Sequence, residues 1–142
     1  MSTPHAELLR DADLRVTAPR LAVLAEVAAR PHATAEEIRS AVHDRLGAVS
    51  TQAVYDVLHA LTAARILRRI EPSGSPGRFE LYRGDNHHHV VCRECGSVGD
   101  VPCAVGHAPC LTASDDNGFV VDTAEVIYWG LCPTCREAAG TA

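Results

Sequence analysis

The chain has 142 residues, 46% of them hydrophobic but only 4% aromatic, and a net charge of −5 at pH 7. That length holds one ordinary domain or two small ones, with a core built mainly from Leu, Val, Ile and Ala. No run approaches the roughly 20 apolar residues of a membrane span, and the opening "STPHAELLRDADLR" lacks the apolar segment of a secretory signal, so a cytoplasmic protein with no membrane partner is expected.

In chain order, "HAELLRDADL" carries a weak helical spacing at Ala6, Leu9 and Leu14. In "TAPRLAVLAEVAARPH", Thr17 is a candidate N-cap and Pro19 is tolerated in the first turn. Leu21, Leu24, Val27 and Ala28 form one apolar face there, and Pro31 stops the helix. "TAEEIRSAVHDRLG" places Thr34 and Glu37 as a capping box, Ile38, Val42 and Leu46 as a buried stripe, and Gly47 as the terminator. "STQAVYDVLHALTAARIL" begins at an N-cap, Ser50, and turns Val54, Val57, Leu58 and Leu61 inward. Two β-prone runs, around Ile66–Ile70 and Phe79–Tyr82, then flank the turn-rich "EPSGSPG". A helix-turn-helix followed by a β-hairpin is the winged-helix arrangement.

The boundary falls near Arg83–Asn86, because both charge and cysteine use change there. Residues 1–83 carry 11 Arg against 10 acids, and residues 84–142 carry 2 Arg against 8 acids, so the halves have nets of +1 and −6. The imbalance points to two units with different partners. The second half reads as short strands and knuckles, "HHHVVC", "SVGDVPC", "GFVVD" and "AEVIYWGLC", with "TASDDNGF" as a polar turn. It also holds all six cysteines, Cys92, Cys95, Cys103, Cys110, Cys132 and Cys135. In a reducing cytosol, clustered cysteines bind metal or sense redox state more often than they form structural disulfides.

Cys92-x-x-Cys95 and Cys132-x-x-Cys135 are separated by 36 residues. Each pair turns two thiolates toward one centre through a tight knuckle, and two pairs complete a tetrahedral four-sulfur zinc site. A closed site of that kind holds a fold and leaves no position for substrate; a reactive dithiol switch is the other use. In "NHHHVVC", an extended chain puts His87 and His89 on one face and His88 on the other. Glu80 and Asp100 are nearby candidates to complete a mixed nitrogen and oxygen set, which suits Fe(II), Mn(II), Zn or Ni. On this argument alone, solvated histidines are the equal alternative.

"LRVTAPRLAVL", "VSTQAVYDVLHAL", "GRFELY", "DNHHHVVCRECG" and "AEVIYWGLCPTC" together resemble the ferric uptake regulator (Fur) superfamily through nearly the whole chain. "DNHHHVVCR", "CAVGHAPCLTASD" and "EVIYWGLCP" resemble its actinobacterial FurA/CatR branch, peroxide-responsive repressors associated with catalase-peroxidase genes. The resemblance implies an α+β homodimer. Residues 1–83 would form a winged-helix DNA-binding domain with a hinge, and residues 84–142 a small α/β dimerisation domain with a four-cysteine zinc site.

The resemblance also implies residue roles. Cys92, Cys95, Cys132 and Cys135 hold structural Zn(II). His32, Glu80, His87, His89 and Asp100 hold the regulatory metal, Fe(II) or Mn(II), with Zn(II) as a substitute in vitro. Occupancy of that site ties the two domains together and so sets DNA affinity. His32 and His87 match the histidines oxidised in peroxide sensors. Glu80 departs from the Asp of the best-known peroxide sensors and matches iron sensors. A candidate third site maps to Asn86, His88, His107 and Ala124, of which only His88 and His107 ligate metal unchanged; either Cys110 or Glu125 completes it, or the site is absent. Cys103 and Cys110 are either small buried residues or an oxidant-sensing thiol pair.

The partner is double-stranded operator DNA. The helix beginning near Thr51 lies in the major groove, with Tyr55 as the family's base-contacting tyrosine, and with a core aromatic as the plainer alternative. Ser50, Thr51 and Gln52 suit phosphate or base-edge contacts. Arg15 and Arg20 match minor-groove and backbone contacts, and Arg78 on the wing is placed to meet phosphate. Asp56 stands where iron-responsive relatives have Arg, so the operator is expected to differ from the iron box. The expected function is a metal-dependent repressor of peroxide-defence genes, not an enzyme. The rivals are an iron- or zinc-uptake regulator, a thiol-switched repressor, and a zinc-ribbon hydrolase using the His/Glu/Asp set.

Overall fold

A computed structural model describes residues 3–82, 87–102, 115–121 and 124–140. Packing divides the chain into two units, Met1–Arg83 and Gly84–Ala142, and both mix helices with sheet.

The first unit runs α1 (Pro4–Asp11), α2 (Ala18–Ala29), β1 (Ala33–Thr34), α3 (Ala35–Leu46), α4 (Thr51–Ala63), β2 (Leu67–Ile70) and β3 (Arg78–Leu81). Each helix starts on a hydroxyl cap: Thr3, Thr17, Thr34 and Ser50 accept from the backbone N–H three residues on, at 3.1–3.3 Å. Such a cap contributes about 1 kcal/mol. At Thr34 the capping box takes a variant form, in which the hydroxyl itself donates to the Glu37 carboxylate at 3.2 Å. Gly47 ends α3 at φ +76°, its N–H on the His43 carbonyl at 2.7 Å.

The core joins Leu9, Val23, Leu24, Val27, Ile38, Val42, Val54, Leu58, Leu61, Leu67 and Phe79. Ala28, expected on the inner face of α2, is exposed. The inward stripe runs through Val23, Leu24 and Val27 instead, because at 100° per residue Ala28 lies off its edge. The wing is also larger than a hairpin. The two-residue strand β1 adds to β3 in antiparallel register, Ala33 opposite Phe79, giving the order β1-β3-β2.

The second unit contains β4 (His88–Cys92), β5 (Val98–Val101), β6 (Ile127–Gly130) and α5 (Pro133–Ala138). β4 lies centrally, antiparallel to β5 and parallel to β6, with His89 opposite both Asp100 and Ile127. One expectation fails in this unit and another is narrowed. Phe119, Val120 and Val121, expected as a strand, are exposed, Val120 at 97%, and are assigned to none. The carboxylates of Asp115 and Asp116 accept from the N–H groups of Asn117 and Gly118 at 2.9 and 2.8 Å, which fixes a turn that leads the apolar run outward. The run after Ala124 is a strand only over Ile127–Gly130, and Cys132 then caps the short helix α5. Among the described residues, no helix is long and apolar enough to cross a membrane.

Candidate metal centres and nucleic-acid interface

Two local devices bring the four paired cysteines together. After β4, Gly96 at φ +76° turns the chain, and its N–H reaches the Cys92 carbonyl at 3.0 Å. After β6, Cys132 caps α5, with its Sγ 3.4 Å from the Cys135 N–H and Pro133 filling the first helical position. The register of β4 on β6, Cys92 opposite Gly130, sets the two knuckles side by side. The four Sγ atoms lie within 4.8 Å of one another, and Cys95 and Cys132 are 3.7 Å apart. A tetrahedron of sulfurs with bonds of roughly 2.3 Å has edges of about 3.8 Å. The donor set therefore fits a four-coordinate thiophilic ion.

The thiols are electrostatically unequal. Backbone N–H groups of Cys95 and Cys132 draw Cys92 down to about 6. The Ser97 hydroxyl and backbone N–H also lower Cys95. Hydrogen bonding to Cys132, followed by burial, pushes Cys135 up to about 12. The first knuckle is thus prepared to present thiolate, whereas Cys135 holds its proton against neighbouring sulfur.

All three histidines of the run are buried. His87 and His89 share a side, with ring centroids 5.0 Å apart. Their Nε2 atoms stand 3.6 and 3.5 Å from the same oxygen of Asp100. On the other edge of the His89 ring, Nδ1 lies 3.2 Å from Glu125 Oε1. Carboxylates thus face both ring nitrogens of His89, and Glu125 fixes the ring's orientation as an outer partner of a ligating imidazole would. His88 has a different task. Its Nδ1 accepts from the Val126 N–H at 3.0 Å, joining β4 to the approach to β6. That bond puts the ring hydrogen on Nε2, and ligation through Nδ1 would require the bond to break.

In the first unit, His32 is held on both sides of its peptide. Its N–H donates to the Phe79 carbonyl at 2.9 Å, and its own carbonyl accepts from Arg78 Nη1 at 3.1 Å. Its φ is +72°, a left-handed backbone costing a non-glycine residue roughly 1–2 kcal/mol. The result sets His32 Nε2 3.3 Å from Glu80 Oε2, on a carboxylate only 2% exposed. Arg78, expected to meet phosphate, has one guanidinium nitrogen engaged in this brace.

α4 buries Val54, Leu58 and Leu61 and exposes Thr51, Gln52, Tyr55 and Asp56. Tyr55 is 40% exposed, which removes the core-aromatic alternative. It borders two grooves, both also lined by Arg69 and Phe79. Arg69, which the sequence did not single out, pairs with Glu71 at 3.0 Å. Its guanidinium crosses Gly77 so closely that a Cβ there would come within 2.6 Å. Arg15 is exposed, and its carbonyl accepts from Arg20 Nη1 at 2.7 Å. Ser50 spends its side-chain oxygen on the Ala53 N–H. Cys103, His107 and Cys110 lie outside the described residues, so the remaining third-site candidates have no described geometry.

The profile of the Ferric uptake regulator family matches residues 11–128. The chain belongs to the ferric uptake regulator family. Within it the similarity falls to the actinobacterial FurA branch. The transcriptional regulator FurA of Mycobacterium tuberculosis is 67% identical over 131 residues, covering 92% of this chain and 89% of that protein. Ferric uptake regulation protein 1 of Mycolicibacterium fortuitum is 58% identical over 130 residues, covering 92% and 81%. The crystal structure of the Vibrio cholerae ferric uptake regulator matches with a TM-score of 0.64 at 29% identity, over 89% of this chain and 98% of that one. As a Fur-family chain with relatives named as transcriptional regulators, it is a regulator and not an enzyme.

Two residues of this Fur-family chain acquire roles that sequence alone did not suggest. Glu125 orients His89, and Arg78 braces His32. Neither had a local signal, since each acts on a residue 36 or 46 positions away.

Proposed function

We propose that this chain is a cytoplasmic, homodimeric, zinc-containing repressor that binds double-stranded operator DNA when loaded with Fe(II) or Mn(II). Peroxide then releases the DNA through oxidation of a ligand histidine, which places catalase and other oxidative-stress genes among the targets. Cys92, Cys95, Cys132 and Cys135 hold the structural Zn(II), a role their mutual spacing supports. His32 and Glu80 from the first unit, with His87, His89 and Asp100 from the second, supply the regulatory metal, for which Zn(II) substitutes in vitro. Bound iron supplies the redox chemistry; His32 and His87 are the groups that take up oxygen. Thr51, Gln52 and Tyr55 read the major groove, with Ser50, Arg15, Arg20 and Arg78 as flanking contacts. Exposed Val90 and Tyr128, neighbours on adjacent strands, support burial of that sheet face against a second copy.

The observation that carries the metal-dependent reading is His32. A strained backbone braced at both its N–H and its carbonyl, with the imidazole on a buried carboxylate, is the arrangement of a preset ligand. The test loads matched samples with Fe(II) or Mn(II), treats them with H2O2, and reads both DNA binding and peptide masses. Oxygen added to His32 or His87 peptides in the iron form alone, with loss of DNA binding, is the expected result. DNA binding that survives complete removal of the regulatory metal rejects the mechanism.

A second reading, an iron-uptake regulator, draws on Glu80, the residue of iron sensors at this position. It predicts metal-dependent DNA binding in the same experiment, with no histidine oxidation.

A further inference from the structure

The exposed face of α4 carries a hydrogen-bonded pair in which Gln52 belongs to the DNA-reading face and Asp56 has no role in the function above. Gln52 Nε2 donates to Asp56 Oδ1 at 2.8 Å, one helical turn apart, and both residues are exposed. They flank Tyr55 and line the same groove, which Arg69 also lines. An ionised carboxylate only accepts, so Asp56 receives the Gln52 amide in one sense, with the NH2 group toward it and Oε1 away. The pairing also limits the rotamers of a long side chain before any ligand arrives, which lowers the ordering cost of recognition. What the amide still offers is one N–H and one carbonyl acceptor. Those match N7 and the N6 amino group of adenine in the major groove.

We infer that Asp56 is a positioning residue for sequence readout, holding the Gln52 amide in the orientation that reads an adenine of the operator. Discrimination at that base then belongs to the pair. This explains how a carboxylate is tolerated on a face that must approach phosphate: its charge is directed onto a neighbouring side chain, which does the reading. The inference rests on the assignment of α4 to the major groove.

The test selects binding sites from duplexes with a randomised segment, using the Mn(II)-loaded full-length protein. Wild type is run beside Gln52→Ala, Asp56→Ala and Asp56→Asn, with melting temperatures as the control for folding. Gln52→Ala and Asp56→Ala should relax the same adenine position by about tenfold. Asp56→Asn, whose side-chain oxygen still accepts from Gln52, should retain most of the preference. If Asp56→Ala instead relaxes a cytosine position that Gln52→Ala leaves intact, Asp56 reads a base directly and the inference is overturned. If Asp56→Ala tightens binding to every duplex without changing any position, its effect is phosphate repulsion, and the inference also fails. A wild-type protein that enriches no site rejects the major-groove assignment of α4 itself, an outcome distinct from the other two.

Discussion

Arg78 Nη1 donates to the carbonyl of His32 at 3.1 Å, fastening a side chain of β3 to a residue with left-handed backbone 46 positions earlier. The bond is charge-assisted and partly buried, so it exceeds the contribution of an ordinary surface contact. Arg78→Ala should therefore weaken Mn(II) binding by about tenfold, the equivalent of roughly 1.4 kcal/mol. Titration calorimetry on the zinc-loaded protein measures it, with unchanged zinc content showing that the cysteine site is intact. Wild-type Mn(II) affinity in the variant would remove the brace from the metal-binding account.

The unequal thiols make a pH prediction for zinc-stripped, reduced protein. Alkylation of Cys92 should rise with an apparent midpoint near 6, while Cys135 should stay unreactive until far higher pH. The signs for stability oppose each other. The depressed Cys92 value contributes stability that is complete above its unfolded value of 9.0 and is lost as pH falls through about 6. The raised Cys135 value contributes stability that is complete below 9.0 and is lost as pH rises toward about 12. Zinc should protect all four thiols, and Cys132→Ser should abolish that protection. Mass-resolved alkylation across a pH series reads each residue separately.

Tyr55 is exposed on α4 and Leu61 is buried, and their substitution should separate recognition from folding. Tyr55 is 40% exposed, so Tyr55→Ala should change unfolding free energy by less than about 1 kcal/mol while greatly reducing operator binding. Leu61 is fully buried, and Leu61→Ala should cost about 2–5 kcal/mol and reduce binding only through loss of folded protein. Denaturant unfolding beside fluorescence anisotropy on DNA makes the comparison. Equal destabilisation by the two variants would return Tyr55 to a packing role.

His88 is fully buried and accepts from the Val126 N–H. His88→Phe keeps the ring but leaves that N–H without its acceptor, at a cost of about 1–3 kcal/mol. Metal stoichiometry should not change. A decrease of one bound metal per chain, measured by elemental analysis, would instead make His88 a ligand.

Local features were legible in sequence. The caps Thr17, Thr34 and Ser50 act on N–H groups three residues away, and the Cys-x-x-Cys spacing closes a knuckle within four residues, so both can be read from a short window. Strand β1 could not be read that way. Two residues, Ala33 and Thr34, carry no alternation, and they become a strand only because β3 returns beside them. Helix α5 was equally obscure, since its cap is a cysteine and its length is six residues. The exposed run Phe119–Val121 erred in the opposite direction. Its apolar pattern suits a strand, but among the described residues it pairs with none, and β propensity alone does not make one.

By itself the sequence determined the helical stripes, the cysteine knuckles and the alternation that separates His88 from His87 and His89. Each follows from covalent geometry or from hydrogen bonds reaching no more than a turn along the chain. Only the tertiary structure decided what each histidine meets: Asp100 and Glu125 for His89, the Val126 N–H for His88, and Glu80 with the Arg78 brace for His32. Those partners lie 11 to 48 positions away, and strand register, which depends on the packing of the whole unit, brings them within reach.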